Sequence, residues 1–271
     1  MMQIELEWPM GLQHSEAIIL TKGEKVELPT VATELVAAGR RIDYLKVKLA
    51  EYTTAQIGEL AHFLEQNLEK PIFEKEYGEG VIDSEEEIKK ALSTPEAILL
   101  LALDRKNRAE KPEVVGFLVG MPAIDYGLTY DDLTPESNKP LPKLPQSETY
   151  YLHTLGVLPE ARNRKVGYNL WNIFQKNIFR RTGKWESLAV LALMQKDGSS
   201  FMLRFLDRAL NLDKLRSEGR VSEAVIYKFH TKNPEEVQDR LVPVHYLLID
   251  LRGKFEKALT VYPDPSLAYF R

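Results

Sequence analysis

One sixteen-residue stretch of the sequence has the residue types and spacing of an anion-binding turn. It reads Leu155-Gly-Val-Leu-Pro-Glu-Ala-Arg-Asn-Arg-Lys-Val-Gly-Tyr-Asn-Leu170, with a strand pattern ending at Val157 and a helix opening near Val166. A helix that begins directly after a strand presents backbone N–H groups and the positive end of its dipole. This arrangement binds phosphate. The stretch therefore predicts an anion site, and the alternative is a surface turn with a basic helix start.

The side chains of the turn fit the first interpretation, although the residues alone leave both open. Arg162, Arg164 and Lys165 add positive charge, and Gly167 lacks a Cβ where a ligand would pass close to the first helical turn. The charge continues along the chain, because residues 160–184 contain one acid and seven bases, a net charge of +6. Such a segment suits an anionic partner.

The same stretch resembles the acyl-CoA signature of the GNAT superfamily of N-acetyltransferases, Val-x-Pro-x-x-Arg-x-x-Gly-x-Gly/Ala followed by Leu. The matching positions, at the right spacing, are Val157, Pro159, Arg162, Gly167 and Leu170. The main departure is Lys165, which stands where the family prefers its first glycine. A lysine keeps the backbone amide there but adds bulk beside the pyrophosphate.

The resemblance implies acetyl-CoA, or another acyl-CoA, as the cosubstrate. Backbone groups that meet the pantetheine amides would belong to Leu155, Gly156 and Val157. The pyrophosphate cradle would consist of Arg162, Asn163, Arg164, Lys165, Val166 and Gly167. The strand at Ala189–Met194 would form the other wall of the slot. Ser199 or Ser200, at the start of the next helix, would bond the thiolate or CoA, although simple N-capping is the favoured interpretation of both.

Transfer of an acyl group to an amine needs a base for the ammonium and an acid for the leaving thiolate. His153 is the first candidate base, since histidine changes charge between about pH 5 and 8, and a structural interior histidine is the alternative. Tyr151 shares its face by period-two alternation, and Glu148 is the second candidate base. Tyr150 and Tyr151 are acids or packing residues, with packing favoured. A β-bulge would change which of these side chains share a face.

The acid that the family often uses is missing from this sequence. The resemblance places a tyrosine on the helix after the fifth strand, but residues 199–210 contain none. The equivalent position falls near Phe205 or Leu206. Another residue therefore serves as the acid, or the protein does not catalyse transfer.

The elements that position these residues follow from hydrophobic periodicity. From residue 42 the order is strand, two helices, two hairpin strands, strand, helix, strand, helix and two strands. This predicts an α/β fold with a GNAT-like mixed, mostly antiparallel central sheet, flanked by helices and splayed at strands four and five. Residues 1–41 form an N-terminal extension packed on the core, and residues 42–271 the acyltransferase domain. Within the extension, Ala17–Leu20 predicts a short strand and Val31–Ala38 a short helix.

Composition excludes several classes of protein. The 271 residues are 44% hydrophobic and 28% charged, which is typical of a globular chain and not of a disordered one. The absence of cysteine excludes disulfides and thiolate chemistry, and the scattered histidines predict no metal site. No apolar run has the roughly 18 residues of a membrane span, and no signal peptide is evident. We expect a cytoplasmic protein that binds neither membrane nor nucleic acid, with a homodimer among the open oligomeric states.

These observations predict an N-acyltransferase that moves an acetyl or other short acyl group to a primary amine by direct attack. The acceptor is a small-molecule or peptide amine. A cationic amine is one of the open acceptors, because residues 51–90 carry eleven acids and four bases, a net charge of −7. Asp125, Tyr126, Asp131 and Asp132, at the start of a long loop, would line the same mouth or only keep the loop soluble, and the second interpretation is slightly favoured. The alternatives are a non-catalytic acyl-CoA-binding or sensory module, and an enzyme of different chemistry on the same fold.

Overall fold

An eight-stranded mixed sheet forms the centre of the protein in the computed structural model. The structure describes residues 17–22, 24–29, 33–38, 41–74, 77, 83–105, 112–128, 143–180, 182–195, 197–229 and 241–254. The strands of the sheet are β3 (Thr33–Ala38), β4 (Ile42–Val47), β5 (Ile98–Asp104), β6 (Glu113–Pro122), β7 (Thr149–Val157), β8 (Ser187–Leu193), β9 (Val221–Phe229) and β10 (Leu241–Asp250). A separate hairpin comprises β1 (Ala17–Lys22) and β2 (Glu24–Pro29).

The spatial order of the sheet is β3-β4-β5-β6-β7-β8-β10-β9. Every neighbouring pair is antiparallel except β7 and β8, which are parallel. This topology confirms the predicted mixed, mostly antiparallel sheet. The helices are α1 (Thr54–Leu64), α2 (Glu85–Ser93), α3 (Ala123–Tyr126), α4 (Val166–Gln175), α5 (Phe201–Leu210) and α6 (Leu212–Ser217). Within the described residues, no helix combines the length and apolar character needed to cross a membrane.

The helix predicted at Val31–Ala38 is wrong, because Thr33–Ala38 forms the edge strand β3. Its residues pair antiparallel with β4, as in Leu35 opposite Leu45. Leu35 is buried and Glu34 is exposed, which is the alternation of a strand. Pairing to β4 therefore overrides a local pattern that was too short to decide between helix and strand. Residues 33–38 are thus the edge strand of the central sheet.

The centre of the sheet and the helix starts form as their sequences predict. All seven residues of β5 are buried, as expected for its continuous apolar run. Thr53 caps α1 and Ser84 caps α2, each in a reciprocal capping box with the residue three positions on. Beyond α1, wider π-helical turns continue over Glu65–Glu74 and contain Pro71. Such turns are frequent at functional sites, and these carry Glu69, Ile72 and Phe73 to β7.

Candidate active site

A β-bulge at His153 opens the sheet between β7 and β8. Thr154 pairs with Val119 and Leu152 pairs with Gly120, so His153 is the extra residue of β7. The parallel pairing of β7 with β8 covers only Thr149 to Leu152 and stops where the bulge begins. Bulges bend a strand and interrupt its ladder. The bulge therefore separates the second half of β7 from β8, which is the predicted splay.

The splayed strands enclose a cavity of about 420 Å³, here named the acyl slot. Most of its wall is apolar or aromatic: Ile72, Phe73, Tyr77, Tyr151, Leu155, Leu191, Leu193, Phe201, Met202, Phe205 and Val244. The polar side chains of the wall are Glu69, Asp83, His153, Thr154, Arg162 and Asn163. Residues of β7 and β8 that were predicted to line the slot thus share one cavity with the basic turn. The carboxylates of Glu69 and Asp83 line the same cavity.

His153 lies in the slot within a network of polar side chains. Its side chain is only 3% exposed, and its Nδ1 lies 3.3 Å from Asp83 Oδ2 and 3.0 Å from Thr154 Oγ1. Its Nε2 lies 3.3 Å from the hydroxyl of Tyr126. The Tyr151 ring meets the imidazole edge-on at 5.5 Å between centroids, so Tyr151 and His153 share a face as predicted. Each ring nitrogen of His153 has a defined partner.

The strand-to-helix turn after β7 has an unusual backbone. Asn163 and Lys165 both adopt positive φ angles, of 62° and 59°, in the left-handed region that favours glycine. This explains the family preference at the position of Lys165 in physical terms, since a glycine avoids the Cβ contact that a lysine must accept. The bulk expected of Lys165 is directed to the surface, because this residue is exposed.

A second cavity of about 380 Å³, the turn cavity, lies against this turn and α5. Its wall includes Lys165, Val166, Arg208 and, in common with the acyl slot, Arg162, Asn163 and Gly167. The Nε of Arg162 donates to the carbonyl of Val157 and ties the turn to the end of β7. The first N–H groups of α4 have no acceptor within the helix. The turn cavity therefore combines positive charge with helix-start amides.

The two glycines of the predicted CoA site differ in what they do for the fold. A Cβ at Gly156 would lie 2.7 Å from the Phe117 ring and 2.9 Å from Ile72, so packing against the π-helical turns requires glycine there. A Cβ at Gly167 would come no closer than 3.4 Å, to Val157. The packing of the protein itself thus tolerates a side chain at Gly167, and the open surface there is available to a ligand.

Arg164 lies elsewhere than the sequence predicts. Its Nη1 donates to Asp104 Oδ2 at 2.7 Å, and Asp104 also accepts from Arg41 Nε at 2.8 Å. The guanidinium is therefore committed to a buried carboxylate of β5, and it lines neither cavity. Burial raises the pKa of Asp104, but the hydrogen bonds and positive charges of the two arginines together lower it by more. The net shift of this pKa is therefore downward. Arg164 holds the turn against the sheet and leaves ligand contact to its backbone.

Four further predicted residues lie outside the acyl slot. Glu148 is exposed and accepts from the Ser147 hydroxyl, a hydrogen bond that lowers its pKa and makes it a weaker base. Ser199 donates to Gln195 Oε1, while Ser200 caps α5 by accepting from the N–H of Leu203. Tyr150 is fully buried and donates to the carbonyl of Glu96; burial raises its pKa. The favoured interpretations, packing for Tyr150 and capping for Ser200, are confirmed.

Sequence reasoning missed the most specific partner of His153. Asp83 and Tyr126 lie 70 and 27 residues away from it, and the sequence grouped them only as parts of an acidic mouth. No local spacing marks such contacts, because they depend on the bulge in β7 and on the positions of the helices α2 and α3. The start signal of α2 at Ser84 was the one available clue, since it fixes Asp83 directly before a helix.

One group of metal-capable side chains comes together among the described residues, although the sequence showed no ligand spacing. The ligand atoms of His62, Glu65 and Glu85 lie within 4.8 Å of one another. His62 Nδ1 is 2.8 Å from Glu85 Oε2, and Lys70 Nζ is 3.8 Å from Glu65 Oε1. These ion pairs account for the cluster without a metal ion.

No family model and no curated protein matches this chain. Solved structures do match it. The loading GNATL domain of CurA from Lyngbya majuscula shares 12% identity and a TM-score of 0.41, covering 77% of this chain and 98% of that one. NAA60 of Arabidopsis thaliana, bound to a bisubstrate analogue, shares 12% identity and a TM-score of 0.42, with 73% and 93% covered. The GNAT-like decarboxylase GphF, bound to isobutyryl-CoA, shares 15% identity and a TM-score of 0.41, with 79% and 100% covered.

The splayed β7 and β8, and the basic turn that leads from β7 into α4, are the features of the fold that position the site. The cosubstrate and the reaction depend on the residues of the site itself.

Proposed function

We propose that this protein is an acyl-CoA-dependent N-acyltransferase that transfers an acetyl or other short acyl group to a primary amine. The observation that carries the proposal is the continuity of the acyl slot. One cavity connects the helix-start turn at Arg162 and Gly167 to the buried imidazole of His153. A phosphate-binding end and a proton-accepting group, joined by an apolar channel, are what such a reaction needs.

The residues of the turn fit the nucleotide end of CoA. Gly167 leaves room beside the helix start, and Arg162, Lys165 and Arg208 line the turn cavity with positive charge. The helix dipole of α4 adds to this field. Leu155, Gly156 and Val157 line the slot beyond the point where β7 stops pairing with β8, so their backbone groups would hold the pantetheine arm.

When bound, acyl-CoA supplies the thioester carbonyl that the amine attacks. His153 takes the proton from the acceptor ammonium, the new C–N bond forms, and the C–S bond breaks. His153 passes this first proton to bulk solvent, and it relays the second proton, which the nitrogen loses as the amide forms, to the departing thiolate, so the products are the amide, the CoA thiol and one released proton. The apolar walls exclude water from this exchange and strengthen the interactions within it.

The acceptor that we propose is a cationic amine. Glu69, which is 2% exposed, and Asp83 both line the slot, and the aromatic rings of Phe73 and Tyr77 lie 6.3 Å apart in the same wall. Carboxylates and aromatic faces attract ammonium groups. The acceptor therefore enters from the side of the π-helical turns.

A second candidate function is a non-catalytic acyl-CoA-binding module, and the apolar surface of α5 favours it. Phe201, Met202 and Phe205 are the α5 side chains that line the slot, and none of them can donate a proton. Binding of acetyl-CoA without turnover on any amine would identify this function.

Release of free CoA thiol tests the two functions. The full chain is incubated with acetyl-CoA and a panel of cationic amines, and thiol is measured with a chromogenic disulfide. We expect amine-dependent release that His153→Gln reduces by about 10²–10⁴-fold. The control is His62→Gln, the same substitution at a half-exposed histidine outside the slot. Release that does not depend on His153 would contradict the assignment of the base.

A further inference from the structure

We propose that Asp83 is the positioning residue that gives His153 its reactive tautomer and stabilises its charged form. This proposal rests on the proposed function, since it concerns how the base of that reaction is held. Asp83 lies directly before α2, in a part of the chain that the sequence treated only as an acidic surface.

The hydrogen bonds around His153 fix the position of its proton. Thr154 Oγ1 donates to Asp83 Oδ2 at 3.2 Å, so the lone pairs of this hydroxyl are left for Nδ1 of His153, 3.0 Å away. Asp83 Oδ2 itself lies 3.3 Å from Nδ1. A carboxylate and a hydroxyl that has already spent its hydrogen are both acceptors. Nδ1 must therefore carry the hydrogen.

The other ring nitrogen faces a donor. Tyr126 OH lies 3.3 Å from Nε2, and a phenol donates to an unprotonated imidazole nitrogen. Nε2 thus carries the lone pair, which is the form that accepts a proton from an ammonium group. The entering amine would take the place of the Tyr126 hydroxyl at this nitrogen.

The position of Asp83 is set by the fold and not by flexible contacts. The capping box of Ser84 and Glu87 fixes Ser84, the residue directly after Asp83. The bulge in β7 places His153 and Thr154 beside Asp83. The Asp83 side chain is 16% exposed and the His153 side chain 3%. Their attraction is therefore less screened by solvent than that of a surface pair.

The charge that His153 acquires during the reaction depends mainly on Asp83. The other groups that face its ring are the phenols of Tyr126 and Tyr151, while Lys90 Nζ sits 4.4 Å from the centroid of the Tyr126 ring. Glu69 and Arg162 lie elsewhere in the same slot. Among these described groups, Asp83 is the one shown to bring a full negative charge within 4 Å of the imidazole, so its removal should disfavour the imidazolium.

The test compares Asp83→Asn with a matched control in the full chain. The control is Glu85→Gln, which removes the carboxylate that lies 2.8 Å from Nδ1 of His62. This pair resembles Asp83 and His153 but lies outside the slot. The ring ¹⁵N chemical shifts of His153, assigned with His153→Gln, report its tautomer and its titration without any substrate. Acetyl-CoA binding by calorimetry and kcat against pH complete the set.

We expect wild-type His153 to show the Nδ1–H tautomer. In Asp83→Asn, the midpoint of its titration should fall by about one pH unit or more, and the acidic limb of the kcat profile should move to lower pH with it. The value of kcat at neutral pH should fall by about 10²-fold or more, while the Kd for acetyl-CoA stays unchanged. Asp83→Glu should restore part of the activity, and Glu85→Gln should behave as wild type.

An Nε2–H tautomer in the wild type, or a titration midpoint that Asp83→Asn does not move, would overturn the proposal. The tautomer and the titration midpoint of His153 can be measured whether or not the proposed function is correct. If acetyl-CoA does not bind to the wild type, the acyltransferase assignment fails, whereas the tautomer measurement still decides the role of Asp83.

Discussion

The left-handed backbone at Lys165 predicts that glycine is a better residue there than alanine. Lys165 has φ of 59° and ψ of 15°, and this region costs a residue with a Cβ about 1–2 kcal/mol. Glycine avoids that contact but loses more conformational freedom on folding, by about 0.5–1 kcal/mol. Lys165→Gly and Lys165→Ala remove the same charge and differ only in the backbone. We therefore expect the glycine variant to be more stable by about 0.5–1 kcal/mol.

Urea unfolding of the two variants measures this difference, and the melting temperatures should differ by about 1–4 °C in a chain of this size. Lys176 provides the control, because it is an exposed lysine with right-handed angles of −62° and −42° inside the continuing helix. There the sign inverts, and Lys176→Gly should be less stable than Lys176→Ala by about 1 kcal/mol. A Lys165→Gly variant that is less stable than Lys165→Ala would refute the left-handed turn.

Three further predictions concern the site and its support. Gly167→Ala should weaken acetyl-CoA binding at least tenfold without lowering stability, whereas Gly58→Ala, whose new Cβ meets nothing within 4 Å, should leave the Kd unchanged; equal Kd values for both would contradict the close approach of ligand to α4. Asp104→Asn should cost about 2 kcal/mol in urea unfolding, less than a fully buried pair because its arginine partners are partly exposed. The pKa of Asp104 is lowered in the folded protein. The stability from its ion pairs is therefore present at neutral pH and is lost as the pH falls below 3.8 through the lowered value. A wild-type acid-unfolding profile identical to that of Asp104→Asn would contradict this prediction. Phe205→Tyr, which places a phenol in the slot, should raise thiol release on the order of tenfold, and unchanged turnover would show that no acid is needed there.

Sequence reasoning succeeded where local pattern and burial agree. The strands β5, β6 and β7 and the helices α1, α2 and α4 lie where apolar periodicity and capping residues predict them. The basic turn was also recognisable, because its residues are consecutive. These features depend on neighbours within a few positions, so one sequence contains the information that defines them.

The remainder depends on contacts between distant segments. Thr33–Ala38 became a strand because β4 offered it an edge. Arg164 does not line the predicted cradle because its guanidinium donates to Asp104, which lies 60 residues earlier in the sequence. Asp83 reached His153 only through the bulge in β7 and the start of α2. Composition and spacing mark none of these partners.

The central claim of this account is that the turn between β7 and α4 binds acyl-CoA. Isothermal titration of the full chain with acetyl-CoA and with CoA tests it most directly, with the double variant Arg162→Ala and Gly167→Glu as the comparison. We expect micromolar binding by the wild type and its loss in a variant that circular dichroism shows to be folded. A wild-type protein that binds neither ligand would contradict the account and leave the fold without its cosubstrate.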